Sequence, residues 1–181
     1  MHRSTLSKKD APKTIKESQK ELHENDFIVS KTDSKGKIIY CNEIFTTMSG
    51  YKASELIGAN HNLIRHPHMP QAAFKIAWEN IQSKKEFFGF VKNLCADGSY
   101  YWVFAYISAD LDSSGKIISY TSFRRKAPQS AIDKIWPIYE ELLEAEKRDG
   151  LNSSLELLDE KLKSLSMSYD EFIINLQREL I

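Results

Sequence analysis

Three runs of β-forming residues in the middle of the chain constrain its fold more than any other feature. EFFGFVKNLC (86–95), YYWVFAYISAD (100–110) and IISYTSFRR (117–125) are separated only by ADGS and LDSSGK. Links this short turn each strand back, antiparallel, on the one before it, and Asp97-Gly98 is a strong hairpin pair. Upstream, DFIVSKTD and KIIYCN flank a turn at Asp33–Gly36 and form a second hairpin. Between the two sets lie short helical pieces broken by glycine, NEIFTTMSG and KASELIG. Pro70 suits the start of a longer helix, in which Phe74, Ala77, Trp78 and Ile81 share one face. Residues 26–127 are therefore expected to form an α+β domain: a five-stranded antiparallel sheet with short helices on one face.

The flanks differ from this core. Residues 1–25 are polar and Lys-rich and read as a loose arm with a short helix. After Pro128 the period becomes helical, with Ile132, Ile135, Tyr139, Leu142 and Glu146 on one stripe and Gly150 as a stop. Leu151, Leu155, Leu158, Leu162, Leu165, Tyr169, Phe172 and Leu176 then step by threes and fours, a heptad seam with acidic flanks. Residues 128–181 are thus amphipathic helices that either fold back or meet another chain. The length of the seam favours a coiled coil or bundle with another chain, a homodimer included.

Composition narrows the function. The 25 basic and 25 acidic residues cancel, but the middle of the chain is mildly cationic and the tail anionic. That is too weak for a nucleic-acid footprint and suits an anionic ligand in the middle. Two cysteines without a CxxC fit a reducing compartment. No apolar run is long enough to span a bilayer, and the N-terminus lacks the apolar core of a secretory signal. The expectation is a cytoplasmic protein with no membrane insertion. No nucleophile–base pair, P-loop or GxGxxG is present, so an enzyme is not expected.

HNLIRHPHMP (61–70) is the densest polar and cationic stretch and holds three of the five histidines. Together with NEIFTTMSGY, ELIGAN, AAFKIAW, GFVKN and DGSYYWV, it closely resembles the PAS sensor domain of bacterial aerotaxis and energy-taxis receptors. The similarity runs from about Asp26 through IWPIYEEL. It implies a PAS fold, non-covalent FAD and redox signalling to a chemotaxis machinery. Such receptors continue into membrane, HAMP and methyl-accepting segments. Here the resemblance implies the stand-alone soluble half of a split receptor, whose partner is a separate membrane-bound methyl-accepting transducer. His68 stands where the family often has Asp.

FAD needs an apolar slot with an aromatic wall, amide-type partners for the ring edge, and positive charge for the diphosphate. By helical spacing alone Trp78 is plain core; the resemblance makes it the ring wall. Asn93 shares a strand face with Phe87, Gly89 and Val91, where it is either a flavin partner or an exposed edge residue. Asn42 is either a helix N-cap or a ligand contact. Arg65, stiffened in its loop by Pro67 and Pro70, is expected to fork its donors toward phosphate or a carbonyl edge with His66 adding a donor, against the alternative of a solvated surface loop. Lys92 is weaker and reads as solvated. His61, His66 and His68 match no zinc signature; a haem ligand, as in other PAS domains, and a ligand-free scaffold are the rivals. Flavin photochemistry needs a cysteine where Gly58-Ala59-Asn60-His61 places histidine.

Overall fold

In the computed structural model, which describes residues 5–179, one five-stranded antiparallel sheet organises the chain. The strands are β1 (Ile28–Asp33), β2 (Ile38–Cys41), β3 (Phe87–Leu94), β4 (Tyr100–Leu111) and β5 (Ile117–Lys126), in spatial order β2-β1-β5-β4-β3. The three predicted hairpins are all present. Between β2 and β3 run α1 (Glu43–Ser49), α2 (Ala53–Leu56), a 3-10 turn at His61–Ile64 and α3 (Gln71–Gln82). The expected five-strand α+β architecture thus holds, and the histidine-rich stretch carries a 3-10 turn.

Period-two alternation sorts the strand residues into two layers. Ile28, Tyr101 and Val103 point inward and pack with Phe45, Leu56 and Leu63 from α1, α2 and the 3-10 turn. Phe90, Trp102 and Phe104 point to the opposite face, where α4 (Gln129–Asp149) covers them with Ile132, Ile135 and Tyr139. The Tyr139 hydroxyl donates to the Phe90 carbonyl at 2.9 Å. An edge strand with free backbone groups invites stray pairing; here helices and the 66–69 loop shield β3.

Asn42 is the N-cap of α1, and its side chain is fully engaged there. Its Oδ1 accepts from Phe45 N at 3.2 Å and Val29 N at 3.0 Å, and its Nδ2 donates to the Phe27 carbonyl at 2.7 Å. It ties the entry of β1 to the exit of β2.

The tail departs from expectation. The heptad seam is broken into two helices: α5 (Leu151–Ser164) stops at Leu165, and α6 (Tyr169–Gln177) restarts from a Ser168 capping box. Ser166 takes a positive φ of 54° in the break. Leu158, Phe172, Ile173 and Leu176 are buried against α4 and the sheet of the same chain, so the seam packs in cis. The reason is physical: the outer faces of Phe90 and Trp102 offer apolar area within the chain, and a short turn lets the helices reach it.

The N-terminal arm is not loose either. It crosses the start of β4, with Lys16 N bonded to Gly98 O, Tyr100 N to Ser18 O and Lys20 N to Tyr100 O at 2.7–3.0 Å. It occupies the flank of β4 that β5, ending at Lys126, leaves open. Leu22 is buried in the inner core.

Two outcomes follow. Phe172→Ala should lower unfolding free energy by about 3–5 kcal/mol in urea titration, the range for emptying a buried Phe site. Asn42→Ala should cost about 1–2 kcal/mol through the lost cap.

Candidate functional site

A cavity of about 440 Å³ lies between α3 and the inner face of the sheet. The amphipathic stripe read from the sequence is its roof: Phe74, Ala77, Trp78 and Ile81 all line it. The wall is made of inward-facing strand residues, among them Ser30, Val91, Asn93, Ala105, Tyr120, Ser122 and Arg124. Leu151, the first residue of α5, reaches the rim.

Trp78 stands at the mouth, 37 % exposed, with its ring edge-on to Tyr120 at 5.6 Å between centroids. Gly36 faces it: a Cβ there would lie 3.5 Å from the indole. Asn93 is buried near the end of β3 and its Nδ2 has no hydrogen-bond partner among the described residues. Arg65 lines the cavity and also a second depression behind it. Its guanidinium lies 3.8 Å over the Phe74 ring and reaches toward the Met69 carbonyl. Burial lowers its pKa, and the carboxylate of Glu146 opposes that shift.

The structure brings together Trp78, Asn93 and Arg65. It does not bring in Asn42, which caps α1, or His66, which lies outside the main cavity. His66 is fully buried beside the second depression, where its Nδ1 accepts from His68 N at 3.1 Å. Its ring meets His68 and Tyr100 edge-on. Burial, then Lys92 and His68, hold its pKa at about 3, so it is neutral at physiological pH. The second depression is also lined by Lys8, Arg65, Lys147 and Glu146. Lys8 donates its ammonium to the Arg65 carbonyl.

The most informative wall residue, Arg124, was not singled out by sequence. It is only 4 % exposed. Its Nη2 donates to His61 Nε2 at 2.7 Å, so that nitrogen is the bare acceptor and the imidazole carries its proton on Nδ1. Burial first, and the Arg124 charge second, hold His61 neutral, well below the ordinary imidazole range. Burial brings Arg124 itself down to about 10, still protonated at neutral pH. No carboxylate pairs with it among the described residues, and its Nη1 has no partner. Ser122 Oγ, on the same inner face of β5, is also unpartnered. Parity would have found Arg124: it alternates with Tyr120 and Ser122, whereas Arg125 points out.

Buried donors without acceptors are costly and uncommon. On this wall, Arg124 Nη1, Asn93 Nδ2 and Ser122 Oγ present hydrogens or a hydroxyl under an aromatic roof. The set fits a flat ring with carbonyl and ring-nitrogen acceptors along one edge. It offers one permanent positive charge to any negative charge that develops there. Among the described residues no His, Cys, Asp and Glu side chains cluster as metal ligands would.

His61 and His66 have folded pKa values below the usual 6.5. The unfolded chain then binds more protons in acid, so stability is held above about pH 6.5 and lost as pH falls. Urea titrations should show a decline below that pH, and His66→Asn should flatten it.

Residues 38–124 match the PAS fold family, PAS_3. The chain is 36% identical over 121 residues to the aerotaxis receptor of Escherichia coli, a match covering 67% of this chain and 24% of the receptor. It is 25% identical over 128 residues to the biofilm dispersion protein BdlA of Pseudomonas aeruginosa, covering 70% of this chain and 29% of that one. The chain therefore spans less than a third of either relative. A solved light-oxygen-voltage domain, from work on a flavin analogue, superposes with a TM-score of 0.55 at 22% identity, over 64% of this chain and 86% of its own. Sheet order, helix placement and these matches agree: the chain carries a domain of the PAS-fold family, related to that of aerotaxis receptors.

Proposed function

We propose that this chain is a cytoplasmic redox sensor rather than an enzyme, with FAD in the cavity under α3, reporting to a membrane-bound, HAMP-containing methyl-accepting transducer. The observation that carries the reading is the line of unpartnered buried donors, Arg124 Nη1, Asn93 Nδ2 and Ser122 Oγ, facing an aromatic-roofed cavity. When bound, a flavin supplies a reversible redox couple whose ring changes charge and protonation. Trp78 and Phe74 would cover such a ring, and Asn93 would meet its polar edge. Arg124 would hold positive charge at that edge in either state, and neutral His61 keeps the guanidinium in place without adding charge.

FAD rather than FMN is supported by the second depression. Arg65, Asn62 and Gln71 line both spaces. A dinucleotide longer than the ring cavity has a route past Arg65 toward Lys8 and Lys147, which suits a diphosphate. His66, neutral here, can add a hydrogen bond but no charge. Kinship with an aerotaxis receptor supports a chemotaxis partner, and no helix among the described residues is long and apolar enough to cross a membrane.

Protein purified gently, then denatured, should release a yellow chromophore that chromatography identifies as FAD. A Soret band would instead establish haem, and colourless protein that refuses added flavin would leave a scaffold. Arg124→Met and Asn93→Leu should each lower flavin occupancy at least tenfold, about the effect of one lost buried hydrogen bond to a charged or amide group. Asn42→Ala should leave occupancy unchanged.

A further inference from the structure

Lys92, immediately before Asn93, has an unusual setting. It is 6 % exposed, and no carboxylate lies within ion-pair distance among the described residues. Its ammonium instead sits between two aromatic faces, 4.0 Å from the Tyr100 ring centroid and 4.6 Å from that of Trp136. Burial lowers its pKa, with Glu17 and Glu140 opposing from farther off. Its backbone is fixed as well: the carbonyl accepts from His66 N, and the amide points to Met69 Sδ at 3.3 Å.

The two rings belong to different parts of the molecule. Tyr100 opens β4 and is the residue on which the N-terminal arm is hung. Trp136 is on α4, where it also packs edge-on against Trp102 at 5.8 Å. Lys92 thus joins β3, β4 and α4 through one cation. Because successive strand residues face opposite ways, Asn93 enters the cavity while Lys92 meets α4. A stiff strand cannot move one without the other.

We propose that Lys92 is the positioning residue that passes the state of the cavity to α4, by holding Trp136 through a cation–π clamp. The proposal rests on the sensor reading of the cavity given above. A desolvated ammonium between two rings is held firmly, and much of that attraction is lost when a ring moves away. An altered hydrogen bond at Asn93 shifts β3, changes the distance from Lys92 to Trp136, and so favours one seating of α4 over another. That difference between two states is what a signal requires.

The test is amide hydrogen exchange across Gln129–Asp149 in the full chain, for Asn93→Leu, Lys92→Met and the double variant. Lys92→Met should speed exchange roughly tenfold, and Asn93→Leu severalfold. The double variant should be no faster than Lys92→Met alone, because the route is already cut. Lys92→Arg should restore most of the coupling. Rates that simply multiply would overturn the proposal; if Asn93→Leu does not fold, Asn93→Asp serves in the same cycle. In flavin-loaded protein, chemical reduction should change α4 exchange in the parent chain but not in Lys92→Met, which keeps its flavin. An equal redox response in Lys92→Met sinks the clamp and leaves the cofactor reading intact. A chain that takes up no flavin sinks the cofactor reading, while the exchange cycle still decides the clamp.

Discussion

The inner face of the sheet holds a positive charge with no negative partner among the described residues, and much of the site is arranged around that fact. A guanidinium buried beside a carboxylate would be a structural ion pair. Arg124 is buried beside a neutral imidazole and the Phe45 ring instead. Neutral His61 can accept one hydrogen bond but cannot cancel the charge. Its desolvation is a cost, which the apolar surface buried elsewhere in the inner core, around Phe45, Tyr101 and Val103, offsets. It also leaves Arg124 with spare donor capacity toward the cavity, which is where a binding site needs it.

Around this charge the sheet divides its labour by side. The inner face binds, and the outer face is where the remainder of the chain is secured. β3 serves both, since Val91 and Asn93 line the cavity while Phe90 and Lys92 contact the tail helices. Glu146, on the last turn of α4, accepts from Gln71 N and Ala72 N at 3.0 and 2.9 Å, capping the helix that roofs the cavity. The tail is therefore in contact with both walls of the site.

Much of this was legible in the residues. The strand runs and their turns are local signals, and so is the stripe from Phe74 to Ile81 that became the roof. Asn93 was found by alternation. What escaped depends on contacts distant in sequence. Lys92 reads as a solvated surface cation until α4 is known to cover that face. The seam from Leu151 to Leu176 reads either as folding back or as meeting another chain, because periodicity alone does not reveal a turn at Leu165–Ser168 or the apolar ledge that rewards folding back. Asn42 was left between two roles, and three hydrogen bonds within its own neighbourhood decide for the cap. His66 carried the right chemistry, but the turn at Arg65–Met69 directs it to the other side of the loop.

The N-terminal arm and α4 converge on one corner, at Tyr100. Backbone pairing from Ser18 and Lys20 reaches it from one direction, and the Lys92 ammonium bridges it to Trp136 from the other. The span that matches the family begins at Ile38 and ends at Arg124, and it excludes both of these attachments as well as β1. A fragment trimmed to that span would lose a central strand and bare the hydrophobic flank of β3. The packed unit seen here is wider than its recognisable motif, and the segments flanking that motif are masonry rather than ornament.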